Sequence, residues 1–190
     1  IQVCAYAIME NHYHLILRLI PHLASAWSNR DVAIRWLTLF PRRHPLTGDP
    51  LPPSDLQIDA LVSCPERIEV LRKRFCSLSW FMGRLNEFVA RAANKEDCVK
   101  GRFWESRFKC QALLDQAAIA ACMVYVDLNP IRAGLASSPE ESDFTSIQER
   151  IRAWQIQSAA RASGVSYPVD SSDPASSAWL CPIHSDSDRR

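Results

Sequence analysis

The sequence has no apolar run near the roughly 18–20 residues that a membrane-crossing helix needs, and no charged-then-apolar leader. That gives no reason to place it in or across a membrane. Its seven cysteines, at positions 4, 64, 76, 98, 110, 122 and 181, form no Cys-x-x-Cys pair, and their number is odd. A zinc ribbon and a disulfide framework are therefore not indicated, and a reducing, cytoplasmic setting is the simpler reading. Internal repeats are absent, and so is any strong charge of one sign: the net charge is +1. There is also no initiating Met. Ile1 already stands inside an apolar stretch that reads as a strand, so the expectation includes a lost start.

What is present fits a globular chain. Its 190 residues are 47% hydrophobic and 23% charged, enough for one domain with a substantial core. Residues 3–8 and 12–19, short and rich in Val, Ile, Leu and Tyr, predict a hairpin across Glu10-Asn11. Ser28 is a helix cap for the apolar pattern that ends at Pro41, and residues 41–57 carry five prolines and read as a loop. Pro65 opens a helical pattern to about Asn94. The aromatic stretch from Arg102 to Leu114 reads as one or two strand segments. Asp115 caps a helix over about 116–128, which Pro130 stops because proline disfavours helical geometry at Asn129. A short helix near 145–156 follows. From about 158 to 190 the Ser, Ala, Asp and Pro content predicts a disordered tail.

Three groups of residues can carry chemistry. Alternation along a strand puts His12 and His14 on one face and Tyr13 on the other, so the two imidazoles can share a divalent ion; they can equally be structural. Tyr125 and Asn129, four residues apart, share a helix face, where an amide oxygen could join a metal beside a phenol nucleophile. The plainer alternative is a buried tyrosine and an asparagine C-cap. Charge is also uneven: Arg67 to Lys109 holds eleven Lys or Arg against five Asp or Glu. Within it, Gly101-Arg102-Phe103-Trp104-Glu105-Ser106-Arg107-Phe108-Lys109 interleaves aromatics with cations, suited either to stacking bases and meeting phosphates or to a strand with one solvated face.

The stretches AYAIMENHYHLILRL (5–19), SWFMGRLNEFVARAANKED (79–97), GRFWESRFKCQALLD (101–115) and YVDLNPIRAGLA (125–136), in this order, resemble the REP-associated tyrosine transposases, a branch of the HUH single-tyrosine transposases. The resemblance spans about residues 1–150. It implies an α+β fold: a ferredoxin-like antiparallel sheet with helices packed on it, here expected to lack its N-terminal strand. The domain is expected over 1–157, with a helical, Pro-rich insertion at about 21–64.

By position, His12 and His14 match the metal-binding histidines, Asn129 the third ligand and Tyr125 the catalytic nucleophile. Tyr6, Tyr13 and Tyr167 are poorer rivals, on the strand pair or in the tail. The implied reaction cuts and rejoins single-stranded or hairpin DNA through a 5′-phosphotyrosine, with Mg²⁺ or Mn²⁺ as cofactor. The implied setting is a bacterial cytoplasm at the nucleoid, with a homodimer left open. Arg84, Arg91, Arg102, Trp104, Arg107 and Lys109 are the candidate DNA contacts. The alternative is a catalytically disabled nucleic-acid-binding remnant of the same fold.

Overall fold

Glu10 and Asn11 turn the chain back on itself in the computed structural model, which describes residues 1–162 and 180–181. Met9 N donates to His12 O at 2.8 Å, closing the turn between β1 (Gln2–Ile8) and β2 (Tyr13–Arg18). The strands pair antiparallel, Ala7 opposite His14 and Ala5 opposite Ile16, with an irregularity between Val3 and Ala5. Among the described residues these are the only two strands, alongside eight helices, so the architecture is mixed α and β. By contacts the described residues form two compact units, one of residues 1 and 19–110 and one of residues 2–18 with those from 111.

The helical unit contains α1 (Pro21–Ala26), α2 (Asn29–Leu39), α3 (Asp55–Val62), α4 (Pro65–Phe75) and α5 (Leu78–Glu96). Ser28 caps α2 as expected, accepting from Asp31 N while Asp31 takes the Ser28 N–H. Val32, Ala33, Ile58, Ile68 and Leu71 form its core, with Trp27, Trp36 and Phe75 packed against it. Arg72 threads back to the carbonyls of Ala24 and Trp27, satisfying acceptors that the end of α1 leaves open.

Three expectations need correction here. The helix from Pro65 is two helices: the chain leaves α4 at Cys76, and the Ser77 hydroxyl accepts from Trp80 N at 3.2 Å to start α5. Apolar residues recur at helical spacing on both sides of such a break, so periodicity alone does not reveal it. The Pro-rich stretch of residues 41–57 is not all loop, since Ser54 caps α3 through a second reciprocal pair with Gln57. Arg102–Leu114 forms no strand. β-propensity is a weak preference that tertiary context overrides, and Trp104 donates Nε1–H to Asn86 O at 2.9 Å on α5.

In the second unit α6 (Gln116–Asp127) lies against the hairpin, and α7 (Asn129–Arg132) and α8 (Ser146–Ala162) follow. Asp115 caps α6, accepting from Ala118 N at 2.7 Å. Val126 packs onto Ala5, Ala7 and Ile16, the two alanines leaving room for the helix against the sheet. The Ser146 hydroxyl, at the start of α8, accepts from Tyr6 N at 3.0 Å and donates to the Asp127 carboxylate at 3.0 Å, joining strand, α6 and α8. The short helix expected near 145–156 therefore runs on to Ala162. Of the expected tail, Leu180 bridges Val3, and Cys181 N donates to Val3 O at 2.8 Å. Residues 163–179 and 182–190 lie outside the described residues.

Candidate functional site

The site grows from the register of the hairpin. Ala5, Ala7, His14 and Ile16 share the face that meets α6, because alternate residues of a strand point the same way. His12 precedes the first paired residue of β2, so the expected strand start at 12 is one residue early. Its ring still joins that of His14, with centroids 5.0 Å apart and planes at 88°. On the helix side Tyr125 brings its ring to 5.5 Å from His14, edge to face. Two imidazoles and one phenol, more than a hundred residues apart in sequence, are thus neighbours.

Their hydrogen bonding is informative. His12 Nδ1 lies 2.7 Å from Asn11 Oδ1. A carbonyl oxygen only accepts, so this contact pairs it with an Nδ1–H and leaves Nε2 turned to other partners. His14 Nε2 is buried, with no hydrogen-bond partner among the described residues. Burial, and secondarily the neighbouring His12, holds the His14 pKa below the usual histidine value. A buried ring nitrogen is costly to leave unmatched, whether donor or acceptor, and imidazole nitrogen is a common metal ligand.

Tyr125 is 45% exposed, open to a large substrate. Asn129 sits one turn further on, half-buried, but as the first residue of α7 rather than the end of α6. Leu128 (φ −94°, ψ 1°) separates the helices, and Pro130 has no N–H with which to continue the ladder. Among the described residues the Asn129 amide makes no side-chain hydrogen bond, and no three His, Cys, Asp or Glu side chains gather around an ion site. The two histidines would therefore be completed by an amide or by water.

Of the rival tyrosines, Tyr6 faces away from the histidine pair, and burial, aided by a hydrogen bond to Glu149, raises its pKa. Tyr13 lies on the same side as Tyr6, and Tyr167 is outside the described residues.

No family model, curated protein or solved structure matches the chain.

The six candidate DNA contacts all belong to the helical unit. Arg84 and Arg91 are tied to one carboxylate, Glu87, at 2.7 and 2.6 Å. Such exposed pairs are weak, about 0.2–1 kcal/mol, so a phosphate could displace the carboxylate. Arg102, Arg107 and Lys109 are exposed on the irregular segment. Trp104 is half-buried and commits its N–H to Asn86, which makes it a packing residue in this state. Two residues escaped the sequence reading. Asn11 orients His12, and Arg132 places its guanidinium carbon 5.3 Å from the Tyr125 ring centroid. Arg132 lies seven residues, or two helical turns, beyond Tyr125, a spacing that could have signalled it.

Proposed function

We propose that this chain is a metal-dependent DNA transesterase of the HUH single-tyrosine type, a transposase resembling the REP-associated tyrosine transposases. The observation that carries the reading is the buried, unpartnered His14 Nε2, beside His12 and 5.5 Å from the Tyr125 ring. An antiparallel hairpin with α6 on its histidine-bearing face is compatible with a ferredoxin-like core.

Two imidazoles and the Asn129 amide oxygen would suit Mn²⁺ better than Mg²⁺, which prefers an all-oxygen shell. When bound, the ion supplies polarisation of the phosphate and stabilisation of developing charge. The chain's own groups do the rest. Asn11 fixes the His12 tautomer, and the hairpin face holds both rings. The Tyr125 oxygen forms a bond to phosphorus as the phosphorus–O3′ bond breaks. Water takes the phenol proton and returns one to the departing 3′ oxygen. The products are a 5′-phosphotyrosine and a free 3′-hydroxyl, so rejoining needs no nucleotide hydrolysis. A substrate for an open tyrosine of this kind is single-stranded or hairpin DNA, steered by exposed Arg and Lys.

The test is adduct formation with labelled hairpin DNA and Mn²⁺ on denaturing gels. The wild type gives a shifted band. Tyr125→Phe and His12→Ala give none while still binding DNA. A band that survives Tyr125→Phe assigns the attack elsewhere. No band from the wild type overturns the enzyme reading and favours a non-catalytic nucleic-acid binder.

A further inference from the structure

Arg132 stands beside the phenol for reasons built into the chain. α7 ends in a paired motif: Gly134 N donates to Ile131 O at 3.0 Å and Leu135 N to Pro130 O at 2.9 Å, with Gly134 at φ +72°. Pro130 is buried, so the backbone of this short helix is held at both ends and carries Arg132 with it. Its guanidinium lies over the Tyr125 ring. Among the described residues no Asp or Glu lies within 4.0 Å of it, unlike Arg84 and Arg91, which Glu87 holds. The helix dipole does not account for the placement, because a helix of four residues has little dipole.

We propose that Arg132 is a phosphate-binding residue of this site, its guanidinium taking the non-bridging oxygens of the phosphate that Tyr125 attacks. This rests on the reading of Tyr125 as the nucleophile. A cation resting on the ring face leaves the planar N–H fork available, and that fork matches two phosphate oxygens. Contact with the ring couples the two functions: the group that attacks and the group that holds the target move together. Charge that builds on the equatorial oxygens during attack meets a donor already in place, on the opposite chemical footing from the two neutral imidazoles. Arg132 is exposed, so removing its charge leaves the folded unit intact.

The experiment first maps the cut from the 3′-hydroxyl strand that the wild type releases. Binding is then measured by fluorescence anisotropy in a Tyr125→Phe background, where no covalent step intervenes. Two hairpin oligonucleotides are used, one unmodified and one with an uncharged methylphosphonate at the mapped position. With unmodified DNA, Arg132→Gln should weaken binding roughly tenfold, the scale of one charge-assisted contact, and Arg132→Lys by less. The salt slope should fall by about 0.7 for the one phosphate lost. With the methylphosphonate, Arg132→Gln should cost almost nothing further. Equal losses on both oligonucleotides, with a mapped cut, overturn the role of Arg132 and leave the enzyme reading standing. A wild type that forms no adduct overturns both.

Discussion

Replacing Gly134 by Ala isolates the backbone cost of the turn that fixes α7. Gly134 sits at φ +72°, and a Cβ built there meets no atom within 4 Å. No clash therefore enters, and the whole effect comes from forcing an L side chain into the left-handed region. That costs about 1–2 kcal/mol, against which restriction of the unfolded chain returns about 0.4–1 kcal/mol, leaving roughly 1 kcal/mol of destabilisation. Gly134→Asn should lose less, because asparagine tolerates this conformation. Urea unfolding should show a lower midpoint at an unchanged slope for Ala and a smaller decrease for Asn. Amide exchange supplies the local reading, since the N–H groups of Gly134 and Leu135 close the motif. Both should lose protection in the Ala variant. An Ala variant as stable as wild type, or an Asn variant as impaired as Ala, would refute the assignment of the cost to backbone conformation.

Two further outcomes follow from the site. Asn11→Ala removes the acceptor that orients His12, and Mn²⁺ affinity by calorimetry should fall by about 10–100-fold; unchanged affinity would show that His12 needs no such partner. Asp127 is half-buried, and burial raises its pKa above 3.8, opposed by Ser146 and then Arg150. A raised folded pKa means that its contribution to stability is complete below the unfolded value and is lost as pH rises through the folded one. Asp127→Asn keeps an acceptor for Ser146 and removes this loss. The variant should therefore gain on the wild type between about pH 4 and the folded pKa, then run parallel above it. Parallel curves throughout would place the Asp127 carboxylate in water.

Local chemistry in the chain determined a good deal by itself. The hairpin follows from two short apolar runs, and the alternation of side chains along a strand puts His12 and His14 on one face. Ser28 and Asp115 start their helices, and Pro130 stops α6, because capping oxygens and a missing N–H act within a few residues. Tertiary structure decided what depends on partners far away in sequence. Arg102–Leu114 has aromatic, strand-like composition but forms no strand, and Trp104 is held on α5 by a contact to Asn86 that no local pattern announces. The 65–94 periodicity could not reveal that Ser77 would take over as a cap, since apolar residues keep helical spacing on both sides of the break. Most of all, the distances that make a site, His14 to Tyr125 and Arg132 to Tyr125, exist only once Val126 has packed onto Ala5 and Ala7. Sequence supplied the candidate groups, and the packing of α6 on the hairpin brought them together.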